Sequence, residues 1–523
     1  MKRREFIQFL GGTSLAASQM GMRSSCSQFK TLKKLPFVPV SPSKEDQLVL
    51  ADGFNYEVMI SWGEKINSAG EKFGFNNDYT ALLPFKGKSD EAILWVNHEY
   101  PDPTFCSTRA DRAKSTIDKE RKEVGGSLLK VKKDSKTGNW NIDRESPYNR
   151  RLDMNTKIPF DSGVKIEGTN TAIGTGGNCA GGVTPWNTFL TCEEVYVMFY
   201  GDRDRVTRKF KREKLRWDLH YDHPPEHYGW VVEVEPLTGK AKKLTGLGRF
   251  FHECATTVAL SDGRAVCYMG DDTENQCLYK FIASKPGSLE EGELFVADTD
   301  AGKWISLDRN KQEILKKTFK NQLEVSIYTR EAAKLVGGSP QNRPEDIEIN
   351  PRNNDVFFTL TNNKLKNNWH GSLLKISPKN GNHESEQFSS KTFLVGGESA
   401  GFSSPDNICF DPKGNLWLAS DVSGSKLGKG PYAAFPNNGL YYIPMAGPLM
   451  GNVYQVASAP VNAEFTGISF TPDGKRMIVS VQHPGEKSKS LKDLKSHWPE
   501  GGSSIPRPAV VQISGPSLEK LLS

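Results

Sequence analysis

A repeat constrains this chain more than any other feature. One pattern recurs six times: a polar start, a short apolar run, a Pro/Gly/Asn turn, a second apolar run, then acids or amides. The first unit runs from Asn77-Asp78 through YTALLP and a Lys86-Gly87 turn to ILWV and Asn97-His98-Glu99. The others start at Asn178-Cys179, His252-Glu253, Glu345-Asp346, Asp406-Asn407 and around Glu464 to Thr466. The apolar runs are β-branched or aromatic and bounded by turn chemistry, so they read as the paired strands of hairpins. Further strand-like runs follow at 128–133, 230–236, 278–283, 373–378 and 440–445, which makes each unit a four-stranded sheet. Six such sheets predict an all-β fold, a six-bladed β-propeller occupying 27–523 as a single domain. The stretches near 101–125, 201–227 and 285–342 read as insertions, with a helical segment around Lys311 to Lys334.

Spacing within the units carries the functional argument. Asp78, Cys179, Glu345, Asp406 and Thr466 each lie six residues before the turn proline, and Glu253 lies eight before Ser261. If each first run is an innermost strand, these residues stand at equivalent strand ends around the central channel. Glu464, two positions before Thr466, shares its strand face by the period-two rule. Carboxylates and a thiol facing one channel repel each other unless protonated or neutralised, and metal cations are the simplest counter-charge. Carboxylates and amides suit calcium, whereas a thiolate among carboxylates suits iron or zinc. Any single strand-end acid can equally pair with an arginine, and a free cysteine is most often a small buried hydrophobe. Cys179 differs from Cys192, Cys254 and Cys409 in opening a polar segment rather than sitting inside an apolar strand. Arg343, two residues before Glu345, reaches the same channel and offers a fork for phosphate or carboxylate oxygens.

The N-terminus MKRREFIQFLGGTSLAASQ carries the Arg3-Arg4 pair and a modest apolar stretch, the layout of a twin-arginine export segment over residues 1–26. A periplasmic or extracellular location is therefore expected. The apolar stretch is short for a membrane span, so the one expected membrane link is a lipid on Cys26, although Arg23 sits where a lipobox wants an apolar residue. Net charge is +6, from 68 basic and 62 acidic residues, which is no polyanion-binding field. The basic run Arg203 to Arg216 lacks interleaved aromatics and reads as a solvated insertion, so no nucleic-acid partner is expected. Eight cysteines without a CxxC pair exclude a zinc ribbon and a disulfide scaffold. Nothing in the sequence demands a partner chain, and a monomer is expected.

At these same residues the chain resembles the PhoX alkaline phosphatase family. The resemblance rests on FGFNNDYTALLPF, LWVNHEY, GNCAGGVTPWNTFLTCEE, GRFFHECA, GDDTENQCLYKF, NRPEDIEI, SPDNICFDPKGNLWLASD and FTGISFTPDGKRMIVSVQHPGE, spanning 73 to 486. It implies a six-bladed propeller that hydrolyses phosphate monoesters, small phosphoesters being the substrates, with ferric iron (Fe3+) and calcium in the channel. It implies Cys179 as an iron ligand and Glu194, Glu253 and Glu345 as further cluster ligands. Asp406 and Glu464 follow as calcium ligands, and Asp78 and Glu99 as further metal ligands. Arg343 maps onto a phosphate-contacting arginine. The FHECA and EFTG stretches differ slightly from the family's expected forms. Two rival readings are a calcium-dependent lactonase-type propeller hydrolase, which explains the acids but not Cys179 or Arg343, and a non-catalytic surface propeller.

Overall fold

The computed structural model describes residues 34–107 and 111–523; the expected export segment and Cys26 lie outside the described residues. Leu32–Ser523 forms one compact unit. Each hairpin read from the sequence opens one sheet. The innermost strands are β1 (Asn77–Pro84), β2 (Asn178–Val183), β3 (Thr256–Ala259), β4 (Pro344–Ile349), β5 (Pro405–Phe410) and β6 (Glu464–Phe470). Each pairs antiparallel with the next strand in sequence, respectively Glu91–His98, Phe189–Glu193, Ala265–Gly270, Val356–Leu360, Leu416–Ser420 and Met477–Gln482. Further strands add outward, so each of the six sheets has four or five strands. Consecutive innermost strands touch one another, β6 touches β1, and the circle is closed. The fold is a six-bladed β-propeller.

Packing explains the alternation in the strands. Facing sheets bury large side chains in the seams between blades. Trp95 stacks on Phe189 between blades one and two, Tyr268 meets Phe358 edge-on between blades three and four, and Trp417 lies against Phe470 between blades five and six. Near the axis the backbones crowd instead. A Cβ on Gly182 would lie 2.0 Å from the Ala255 carbonyl oxygen, which is why small residues follow Cys179.

Two features depart from the sequence reading. The stretch 285–342 is only partly an insertion: Gly292–Asp298 and Lys303–Ser306 are the outer strands of blade three, and the helices are Glu313–Thr318, Gln322–Ile327 and Thr329–Leu335. Blade six takes its third strand from Ala509–Ser514, beyond a long loop, and its outermost strand from Asn55–Ser61. Val49–Leu50 likewise completes blade five. The basic run in the second insertion is ion-paired, with Arg203 and Arg208 on Glu167 and Arg205 on Glu331.

Candidate active site

Two rings of side chains meet at one end of the channel, and strand register builds both. In β1, β2, β4 and β5 the pairing slips by one residue immediately after the first paired position, between Asn77 and Thr80, Asn178 and Gly181, Pro344 and Ile347, and Pro405 and Ile408. These β-bulges turn a residue that would join the ladder toward the axis. The turned residues are Asp78, Cys179, Glu345 and Asp406. In blade three, His252 bridges to Asp271 and regular pairing resumes only at Thr256, which frees Glu253 in the same way. Blade six differs from the proline count. Its bulge falls one residue later, at Gly467-Ile468, so Thr466 stays paired with Ser480 and the carboxylate in the cavity is that of Glu464.

The second ring comes from the residue just past each second strand, or in blade three past the His252–Asp271 bridge that extends it: Glu99, Glu194, Asp272, Thr361, Asp421 and His483. In four blades this residue's N–H donates to the carbonyl of the residue preceding the inner strand, as in Glu99 to Asn76 at 3.0 Å, Glu194 to Gly177 at 2.7 Å and Thr361 to Arg343 at 3.0 Å, and in blade three Asp272 donates to the Phe251 carbonyl, just before the His252 bridge, at 3.1 Å. The sequence reading named only Glu99 and Glu194 from this ring. Asp272, Asp421 and His483 were present as the acids and amides that end each unit, but assigning them to the channel requires the pairing register.

The rings enclose a cavity of about 250 Å³ lined by all the sequence-predicted residues, Asp78, Glu99, Cys179, Glu194, Glu253, Arg343, Glu345, Asp406 and Glu464. Asp272, Asp421, His483, Glu486, Tyr100, Val195, Met198 and Ser423 complete its wall. The Cys179 thiol lies 3.4 Å from Asp78 Oδ2 and 3.3 Å from Glu253 Oε1. Three groups have donor atoms within 4.8 Å of one another: Asp78, Glu99 and Cys179; Cys179, Glu194 and Glu253; and Glu253, Glu345 and Asp406. Four carboxylate oxygens, Asp78 Oδ1, Glu253 Oε2, Asp272 Oδ1 and Glu464 Oε2, are buried without a hydrogen-bond partner. Such orphans are costly in a low-dielectric site. Burial pushes the Asp78 carboxyl up to about 7. Burial, and then the neighbouring carboxylates, hold Glu99, Glu194, Glu253, Glu345, Asp406 and Glu464 well above the ordinary range. Cys179 is raised by the same two causes. Hard oxygen donors, one soft sulfur and orphaned oxygens at contact distance fit bound cations.

Arg343 is the arginine in this wall. Its guanidinium lies 2.6 Å from Asp272 Oδ2 and 2.9 Å from Glu345 Oε1, and its backbone sits at φ +53°. A non-glycine residue held in the left-handed region is strained, and such strain concentrates at functional sites. Burial disfavours its charge, but Asp272 and Glu345 outweigh burial and keep the guanidinium protonated. Thr361 donates to Glu345 Oε1 at 2.9 Å, fixing the carboxylate that Arg343 touches. On the opposite wall, His483 donates from Nδ1 to the Asn462 carbonyl at 3.0 Å and places Nε2 2.9 Å from Glu464 Oε1.

Fold and cavity together define a class: a six-bladed propeller whose channel end gathers acids, a thiol and an arginine into one cation-ready pocket. The chain belongs to the alkaline phosphatase PhoX family, whose sequence profile matches residues 35–485, and it is a phosphatase of a metal-dependent kind. Among solved structures it is similar to Pseudomonas fluorescens PhoX in complex with vanadate, a transition-state analogue. That match has a TM-score of 0.83 and 28% identity, and covers 92% of this chain and 98% of that one. It also aligns with XC5397 from Xanthomonas campestris, described as a gluconolactonase, at a TM-score of 0.37 and 10% identity over 93% of this chain and 100% of that one, a likeness that supports no reading of this chain's chemistry. No curated protein sequence matches. The family assignment sets aside the lactonase and non-catalytic readings.

Proposed function

We propose that this chain hydrolyses small phosphate monoesters in the channel cavity, using iron and calcium held by the two rings, after export by the twin-arginine route. The observation that carries this reading is the position of Cys179, a thiol seated between Asp78 and Glu253 where the other positions of the first ring are carboxylates. A sulfur donor among oxygens favours iron over calcium at that point, and the carboxylates farther round the ring favour calcium. Cys179, Glu194 and Glu253 would hold iron; Glu345, Asp406, Glu464, Asp78 and Glu99 complete the cluster, and Asp272 would add its unpartnered Oδ1 as a further donor.

When bound, the cations supply the positive charge that a phosphate dianion and its transition state require. The protein's own residues do the rest. Arg343, already aimed by Asp272 and Glu345, presents its fork to non-bridging phosphate oxygens. The Tyr100, Val195 and Met198 side of the wall offers a less polar surface to the leaving group. The vanadate bound by the Pseudomonas relative supports a phosphate-like substrate here.

The test is metal analysis and p-nitrophenyl phosphate hydrolysis on protein from a host competent in twin-arginine export. Iron and calcium should co-purify, and the protein should be coloured. Cys179→Ala should lose colour and activity together; a colourless variant that keeps full activity would remove iron from the proposal.

A further inference from the structure

Two carboxylates sit one residue before ring acids and point away from the channel, Glu193 before Glu194 and Asp271 before Asp272. Both are fully buried. The other four blades place His98, Leu360, Ser420 and Gln482 at the same position, so an acid there is not required by the blade. Each acid is instead met by a base from an element outside its own hairpin. Lys243, on the outermost strand Ala241–Leu244 of blade two, places Nζ 2.6 Å from Glu193 Oε1, with both side chains fully buried. Its ammonium also donates to the His227 carbonyl at 2.8 Å. The second oxygen of Glu193 accepts from the Gly229 N–H at 2.9 Å and the Trp230 N–H at 3.1 Å. These bonds fasten the end of the second insertion to the strand end that carries Glu194. In blade three the base is Arg330, on the inserted helix Thr329–Leu335. It grips both oxygens of Asp271, with Nε 2.8 Å from Oδ2, donates to Thr273 Oγ1 at 2.9 Å, and lies over the Phe251 ring.

A buried ion pair is poor evidence of stabilisation, since a well-packed apolar pair often serves as well. Its better-attested use is to fix geometry. Here the pairs lie one peptide from side chains that face the cavity, and two unrelated elements, a strand and a helix, arrive at the same arrangement. We infer that Lys243 and Arg330 are positioning residues for the channel cluster: by locking Glu193 and Asp271 they hold Glu194 and Asp272 in the geometry that binds cations. This inference rests on the metal reading of the rings.

The full-length chain carrying Lys243→Met, Arg330→Lys, or Glu193→Gln with Lys243→Met tests it. Two readouts are needed: the unfolding temperature of chelator-treated protein, and calcium affinity by calorimetry with iron content per chain, at a temperature where each variant is folded. Lys243→Met leaves a bare buried carboxylate and loses stability; the double variant removes that charge and recovers much of the loss. The expected result is that the double variant and Arg330→Lys still bind calcium about 10–100-fold more weakly than the parent chain, the range typical for lost outer-sphere support. Parent-like calcium affinity and iron content in both would overturn the inference and leave the metal reading standing. A parent chain that binds neither metal would remove both.

Discussion

The channel and the seam between blades three and four both bury charge, with opposite sign and opposite remedy. In the channel, carboxylates crowd around Arg343, and several of their oxygens have no partner. In the seam, Lys280 is fully buried, and its ammonium is held by the His383 and Ser385 carbonyls, at 3.2 and 2.7 Å, and by the face of Trp304, not by a carboxylate. Burial pushes Lys280 down to about 7, whereas it pushes Asp78 up to about 7. Above about pH 7 the lysine is free to shed a proton, because a neutral amine can still donate to both carbonyls. The acids cannot all shed their charge and still serve a phosphate, so their remedy has to be a cation. Excess charge of one sign inside a fold is thus read by its surroundings: acceptors that tolerate a neutral group mark structure, and orphaned donor atoms around an open volume mark function.

Chelation breaks the comparison most severely. Stripping cations should abolish hydrolysis and lower the unfolding temperature. The loss should deepen with pH, because an acid whose folded pKa is raised favours the protonated native state. For Asp78, the metal-free protein loses stability as pH rises from about 4 through about 7. Thermal unfolding with and without chelator across that window checks the sign; a chelator effect independent of pH would mean the acids are neutralised from within. Next in size is Arg343→Lys, which keeps the charge but loses the fork and the hold of Asp272. A fall in kcat/KM of about 100-fold is expected, on the scale of one strong charge-assisted bidentate contact, with iron content unchanged by elemental analysis because Arg343 touches none of Cys179, Glu194 and Glu253. The smallest effect sharpens the other side. Lys280→Met should stabilise the protein by about 1–2 kcal/mol near pH 6, the range for replacing buried charge by an apolar chain. The wild-type lysine is charged in the unfolded chain up to about 10.5 but neutral in the fold above about 7. Wild-type stability therefore rises between those values, and the advantage of the variant should shrink there. Denaturant melts at pH 6 and 9 measure it.

The hairpin repeat was legible because each unit writes its own strand–turn–strand in local chemistry. The first channel ring was legible for the same reason, since a fixed distance from a turn proline is a fixed height on a strand. Blade six shows where that arithmetic ends. Gly467, at φ +56°, lets the bulge move one residue, and no count along a single strand registers the shift. Asp272, Asp421 and His483 were missed because their height is set by their partner strand, a relation between two segments. The outer strands of blade three were absorbed into an insertion because helices follow them directly, and Asn55–Ser61 carries no mark that its partner is Ala509–Ser514.

That last pairing has a consequence for assembly. The strand Asn55–Ser61 completes the sheet begun by β6, and Val49–Leu50 completes the sheet begun by β5. The circle is therefore fastened like a clasp, with the beginning of the chain hooked onto its end. A chain lacking Ala509–Ser514 has nowhere to seat Asn55–Ser61, and the side chain of Asn77, next to Asp78, loses its bond to the Ala509 carbonyl. Asp78 and Glu464 stand on the two blades that meet at this clasp, so one side of the cavity wall depends on a pairing between segments more than 440 residues apart.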